Sequence, residues 1–227
     1  MSALQLERRD DVFVLHFARG ERANTLDDAV LDDFNAILDD IESAAGNAAL
    51  LIISDDAKFW CNGIDLDYIA TRGMDFLVKR FVPRLDQLLL RIALLNLPTL
   101  ACIGGHAYGG GALIASACDF RTMRADRGYF CFPEVDIKLA FTPVMQQVVA
   151  LLPAERLRRE LALTGRAIGG TEAAASGVVD AAFSVEELFD RSLAMATGLA
   201  GKDRATYSAI KRGLRPALPP LLDTARR

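Results

Sequence analysis

The stretch "HAYGGGALIASACDF" (106–120) sets Gly109, Gly110 and Gly111 at the head of a run of small and apolar residues. It follows "TLACIGG" (99–105), a short apolar run of the kind found in strands covered on both faces, so the glycines fall at a strand-to-helix junction. Three glycines are an entropic liability at a helix start. Either backbones pack closely there, or the bare N–H groups at the positive end of the helix are used for something. A second junction of the same kind lies in "KFWCNGIDLDYI" (58–69), after the apolar run "ALLIIS" (49–54). Exposed N–H groups at either junction can hold an anion or a carbonyl oxygen that gains charge, whereas the plainer use of such glycines is tight turning and close helix packing. Neither loop decides alone. A phosphate loop is disfavoured, since no GxxxxGK[ST] is present and the glycine spacing does not fit GxGxxG.

Working outward, "VFVLHF" (12–17) alternates weakly and predicts a strand, "DFRTM" and "YFCF" predict short strands flanking the turn "RADRG", and "VVDAAF" (178–183) predicts another. Helices lie between them. Val30, Leu31, Phe34, Ile37, Leu38 and Ile41 recur at helical spacing, with Gly46 as a stop. Val78, Phe81, Leu85, Leu88, Leu89, Ile92 and Leu95 mark one face of a long helix that ends before Pro98. Residues 185–200 and 203–214 also predict helix, and "RPALPPLL" (215–222) predicts a helix stop rather than a linker. Strands alternating with helices predict an α/β fold whose sheet is layered by helices and whose last third is mainly helical. We divide the chain into a core over residues 1–195 and a C-terminal helical segment over 196–227.

The composition fits one well-packed domain: 227 residues, of which 52% are hydrophobic and 25% charged. A net charge of -4 gives no reason to expect nucleic-acid binding, although a local basic patch can still hold an anionic ligand. Cys61, Cys102, Cys118 and Cys131 form no CxxC pair, and we expect buried thiols in a reducing compartment. No basic-then-apolar leader opens the sequence, and "LLLRIALLNLPTLACIGG" is broken by Arg91, Asn96 and Pro98 before it reaches the length of a membrane span. The expectation is a cytoplasmic protein with no membrane contact.

Among candidate chemical groups, Glu134 stands out in "YFCFPEVDIKLAF" (129–141), preceded by Phe132 and Pro133 and followed by Val135. A carboxylate in apolar company is costly to ionise, which raises its pKa toward the range useful for proton transfer. A glutamate in a loop is otherwise simply solvated. His16 and His106 lack an HExxH or CxxC partner, so we expect no metal site and structural roles for both. No GxSxG elbow is present, which disfavours a Ser-His-Asp hydrolase. Asp65, Asp119 and Asp136 flank turns and are expected to cap helices or form ion pairs.

"ANTL" (23–26), "KFWCNGIDL" (58–66), "GGHAYGGGALIASACDFRTM" (104–123) and "FPEVDI" (132–137), in that order and spacing, resemble the crotonase family, the enoyl-CoA hydratase and isomerase superfamily. The resemblance spans about residues 10–215. It implies a crotonase-like spiral of β-β-α turns with a helical C-terminal region, assembled as a homotrimer or a dimer of trimers. It also implies a place in fatty acid metabolism and an acyl-CoA thioester substrate, with no cofactor beyond the CoA carried by that substrate. The family's two oxyanion-hole N–H groups fall on Ile64 and Gly110. Preorganised donors of this kind are each worth about 3–4 kcal/mol. Asn24, Trp60, Asn62, Gly63, Gly109, Leu113 and Phe132 are then expected around the substrate.

Hydratases of the family carry two glutamates, whose places here are taken by Leu113 and Glu134. With one carboxylate, the pattern resembles the Δ3,Δ2-enoyl-CoA isomerases, in which a single base shuttles a proton through a dienolate. A hydratase, a thioesterase or a non-catalytic acyl-CoA binder are the competing readings. Three departures stand out. Asp67 lies where many hydratases have a Lys near the CoA phosphates, Lys138 replaces a common Gly, and the chain stops early for the family. Lys202, Arg204, Lys211 and Arg212 are candidates to supply compensating charge, or form a solvated helix face.

Overall fold

The computed structural model describes residues 2–225 and places them in a repeating order of strand, strand and helix. β1 (Leu4–Arg9) and β2 (Val12–Phe17) form an antiparallel hairpin, and α1 (Asp28–Ser43) follows, N-capped by Asp27, whose side chain accepts from Val30 N. The spiral then makes three turns. The first is β3 (Ala49–Ser54), β4 (Phe59–Cys61), the short helices α2 (Leu66–Ala70) and α3 (Met74–Phe76), and α4 (Val82–Leu94). The second is β5 (Thr99–Ile103), β6 (His106–Tyr108) and α5 (Gly110–Ala117). The third is β7 (Phe120–Arg124), β8 (Phe130–Cys131), then α6 (Pro143–Val149), α7 (Glu155–Thr164) and α8 (Gly170–Ala175). β9 (Ala181–Phe183), α9 (Val185–Ala200), α10 (Arg204–Leu214) and α11 (Pro219–Ala225) complete the chain.

Each turn gives its first strand to one sheet and its second to another. The larger sheet runs β1-β2-β3-β5-β7-β9 and is parallel from β2 onward; the smaller, all parallel, runs β4-β6-β8. The inner strands β2, β3 and β5 are buried on both faces, as their continuous apolar runs predict, while the edge strand β1 exposes Gln5, Arg8 and Arg9. Phe13, Leu15 and Phe17 of β2 enter the main core with α1 and α4, while Val12 and Val14 pack with Leu51, Leu100 and the α9 residues Leu188 and Ala196. All four cysteines are buried and unpaired. No helix among the described residues is long and apolar enough to cross a membrane.

Two expectations about helices change. The apolar face that begins at Val78 does not belong to one continuous α-helix, because residues Leu77–Phe81 form a wide π turn ahead of α4. Pro83 has no N–H to donate to the preceding turn, and the backbone there widens instead. The stop at "RPALPPLL" is real, in that α10 ends at Leu214, but Pro219 then opens α11. α9 runs across the boundary drawn at residue 195.

The C-terminal helices are held by buried charge. Lys211, 4% exposed, donates from Nζ to Asp119 Oδ2 at 2.6 Å and Leu97 O at 2.8 Å; Arg215 meets Asp119 Oδ1 at 2.8 Å, and Tyr207 donates to the same carboxylate. Arg204 donates to the carbonyls of Ile41 and Ala44, both at 2.6 Å, and to Asn96 Oδ1. Arg204 and Lys211 are thus spent on anchoring α10, and neither offers a free charge to a phosphate. Lys202 and Arg212 are exposed. Of the three aspartates, Asp65 caps α2 and pairs with Arg22 at 2.6 Å, Asp119 is the anchor just described, and Asp136 is exposed with no ion pair among the described residues.

Candidate active site

The two glycine junctions meet. Gly63, at φ +76°, lies so close to the glycine triplet that a β-carbon there would fall 2.7 Å from Tyr108 O and 2.9 Å from Gly110 N. Gly109, at φ +50°, makes the elbow into α5, and a β-carbon on Gly111 would collide with the Cys61 carbonyl. The glycines therefore serve both purposes open to them, since close packing of the two loops is what brings their N–H groups side by side.

Ile64 N–H is aimed by its neighbours. Leu26 N donates to Gly63 O at 2.8 Å and Asp65 N donates to Leu26 O at 2.9 Å, a parallel bridge that turns the intervening Ile64 N–H to the opposite side. Gly110 is the first residue of α5, where an N–H has no intrahelical acceptor. Neither N–H donates to a protein group among the described residues. A β-carbon on Gly110 would lie 3.7 Å from Ile64 N, which places the two free donors on one small patch.

Glu134 faces that patch. It sits in a single 3-10 turn over Pro133–Val135, with Asp136 N and Ile137 N bonded to Pro133 O and Leu139 N bonded to Glu134 O, so its backbone is fixed. Its Oε1 lies 3.4 Å from where a β-carbon on Gly109 would stand. Glu134 is 5% exposed, and its Oε2 is buried without a hydrogen-bond partner. Burial pushes the carboxyl up to about 7, against the smaller opposing effect of its own backbone N–H.

These groups open on a cavity of about 440 Å³. Asn62, Gly63, Ile64, Gly109, Gly110 and Glu134 line it, as expected of them; Asn24, Trp60, Leu113 and Phe132 do not. Asn24 is buried and ties loops together, accepting from Arg19 N and donating to Ser54 Oγ and Phe59 O. Trp60 is core, edge-on to Phe17, with its ring N–H on Ile52 O. Phe132 is wedged between Phe130 and Phe141 behind the glutamate's turn. Leu113, 1% exposed, points into the core below α5. The sequence reading missed the apolar wall of the cavity, made chiefly by Leu66, Ile69, Met74, Leu77, Ile137 and Leu139. Its signal was exposure of large apolar residues, with Leu66 at 58%, Met74 at 61% and Ile137 at 47%, which no one-dimensional pattern carries. Neither histidine lines the cavity: His16 bonds Asp55, and His106 stacks on Tyr129.

Two free backbone donors, one buried carboxylate and an apolar cavity make a site that can stabilise charge developing on a carbonyl oxygen while a proton moves beside it. Comparison with known proteins narrows that class. Residues 7–226 match the family model of enoyl-CoA hydratase/isomerase. Enoyl-CoA delta isomerase 3 of Arabidopsis thaliana is 33% identical over 96% of this chain and 94% of its own, and the peroxisomal enoyl-CoA delta isomerase 2 of the same plant is 32% identical over 94% and 92%. In fold, the chain is similar to a solved enoyl-CoA hydratase/isomerase family protein from Pseudomonas syringae, with a TM-score of 0.88 at 23% identity over 98% of this chain and 94% of that one. The chain belongs to the enoyl-CoA hydratase/isomerase family, the crotonase superfamily of enzymes.

Proposed function

We propose that this enzyme moves the double bond of a 3-enoyl-CoA thioester to the 2-trans position, with Glu134 as its one proton carrier. The observation that carries this reading is that Glu134 is the single carboxylate among the described residues lining the cavity, with an unpartnered oxygen beside two free N–H donors. The Glu134 carboxylate takes a proton from C2 of the substrate. The electron pair released spreads over C2, the C3–C4 alkene and the thioester oxygen as a dienolate, whose negative oxygen receives Ile64 N–H and Gly110 N–H. Glu134 then returns the proton to C4. The electron pair closes between C2 and C3, the thioester carbonyl reforms, and no proton is gained or lost overall. The C2 hydrogens are acidified by both the carbonyl and the alkene, so a base poised near neutrality suffices.

Adding water asks for a second group to hold it while the first delivers a proton. Leu113 stands at that point of α5 and is buried in the core, which disfavours the hydratase reading. The names of the two plant relatives accord with isomerisation. The test is to supply purified protein with a 3-enoyl-CoA and follow the ultraviolet absorbance of the conjugated 2-enoyl thioester, separating any 3-hydroxyacyl-CoA by chromatography. Formation of the hydroxyacyl product without a double-bond shift would overturn the assignment. We also propose assembly as trimers or pairs of trimers in a reducing cytoplasm, which sedimentation and fractionation check.

A further inference from the structure

α5 begins at one of the two free donors, Gly110 N–H, and all eight of its residues are buried. Its other end meets positive charge. Arg121 of β7 donates from Nη1 to Cys118 O at 2.8 Å and Ala115 O at 3.3 Å, and from Nε to Val178 O at 3.0 Å. Arg215 donates to Ala117 O at 3.4 Å. The last carbonyls of a helix carry its negative end, roughly half an elementary charge, and here two guanidinium groups cover them. The charges around this end do not cancel. The side chains of Arg121, Lys211 and Arg215 are 5%, 3% and 11% exposed. Against these three cations stand Asp119, 7% exposed, and Asp180, 38% exposed, whose Oδ2 lies 4.0 Å from Arg121 Nη2.

We infer that Arg121 is a positioning residue for the reaction: from behind α5 it offsets the negative end of that helix and so strengthens the positive field that Gly110 presents to the thioester oxygen. The inference rests on the dienolate reading above and deepens it. A guanidinium stays protonated in proteins, so the charge is permanent. A helix of eight residues is about 12 Å long, which sets Arg121 roughly 14 Å from an oxygen held at Gly110 N–H. The path between them runs through buried residues, so protein rather than water does the screening. At an effective dielectric of about 20, the charge favours a full negative charge on that oxygen by about sevenfold. The oxygen is neutral in the bound substrate and charged in the dienolate, so the effect falls on the chemical step. If Arg121 served only to tie α5 to the chain before β9, nothing would depend on the sign of the charges around it.

Hexa-2,4-dienoyl-CoA has its double bonds already conjugated with the carbonyl, and its ultraviolet absorbance moves to the red when a positive field draws electrons onto the carbonyl oxygen. Binding to the wild-type chain should shift it. Arg121→Gln keeps a donor for Cys118 O and removes the charge; it should shrink the shift and lower kcat for a 3-enoyl-CoA about sevenfold, with KM little changed. Arg121→Lys restores the charge and should recover most of both. Asp180→Asn tests the sign, and it carries the test if Arg121→Gln does not fold. An asparagine Oδ1 can accept from Arg121 N as Asp180 Oδ2 does at 2.7 Å, so the local bond is kept while a negative charge goes. The shift and kcat should then rise, by about twofold, less than for Arg121 because water screens a half-exposed group. An unchanged shift and kcat in Arg121→Gln, an equal loss in Arg121→Lys, or no rise in Asp180→Asn would each overturn the inference and leave the Glu134 reading standing. An unshifted spectrum in wild-type protein saturated with the dienoyl-CoA would instead remove the oxyanion site, and the inference with it.

Discussion

Replacing Glu134 by Gln removes the proton carrier while keeping its size, and the same change should make the protein more stable at neutral and alkaline pH. The carboxyl titrates at about 7 in the folded protein against 4.5 unperturbed, because burial disfavours its charged form. Below about pH 4.5 both folded and unfolded chains hold the proton, and the wild type loses nothing to ionisation. As pH rises from there to about 7, the unfolded chain gives up its proton while the folded chain retains it, so wild-type stability falls relative to Gln. The difference of about 2.5 pH units corresponds to about 3 kcal/mol, fully developed above pH 7. Urea denaturation of wild type and Glu134→Gln at pH 4.5 and pH 8 measures it directly: the curves should nearly coincide at the lower pH and separate at the higher. In parallel, wild-type kcat/KM for a 3-enoyl-CoA should rise with pH through an apparent pKa of about 7, as the basic form appears. A stability difference that is flat with pH would show that Glu134 is not desolvated, and normal turnover by Glu134→Gln would remove it from the reaction.

Three further outcomes follow from the geometry. Gly63→Ala puts a β-carbon 2.9 Å from Gly110 N at a positive-φ position, and should lower kcat about 100-fold or more with the fold retained by circular dichroism. Lys211→Met removes one partner of the buried Asp119, which keeps Arg215 and Tyr207, and should cost about 1–3 kcal/mol in urea denaturation. Lys138, at φ +60°, holds a left-handed conformation that suits glycine, so Lys138→Gly should raise the unfolding free energy measured in urea, by about 1 kcal/mol at most.

The larger sheet was legible in the sequence because its inner strands are covered on both faces and read as unbroken apolar runs; β2, β3 and β5 fall where those runs lie. The smaller sheet was legible only at β8, which lies within "YFCF". Its members span three residues, three residues and two, too few for any alternation to register, and "KFWCNG" and "GGHAYG" look like loops. β1 was missed for another reason: as an edge strand its sequence "LQLERR" is mostly polar, and Gln5, Arg8 and Arg9 are exposed. The basic residues of α10 were misread because a Lys or Arg on a helix usually faces water, and only the fold shows that Arg204 reaches the carbonyls at the end of α1.

The reading of the site divides along the same line. Residues expected to contribute a backbone group do line the cavity, because such a group needs a particular local conformation, and glycine at positive φ at 63 and 109 writes that conformation into the chain. Residues assigned from the family resemblance to surround the substrate fall elsewhere. Trp60 and Phe132 stand within a few positions of lining residues in sequence and Asn24 lies in a separate loop, and strand and turn geometry sends all three side chains into the support behind the cavity. That support is specific. Asn24 clamps the loop before Leu26, and Leu26 supplies both bonds that turn Ile64 N–H outward. Asn24→Ala should therefore act on turnover through loss of donor alignment, lowering kcat more than it raises KM. The same variant assayed for CoA-thioester binding should stay near wild type, and a loss confined to binding would place Asn24 against substrate after all.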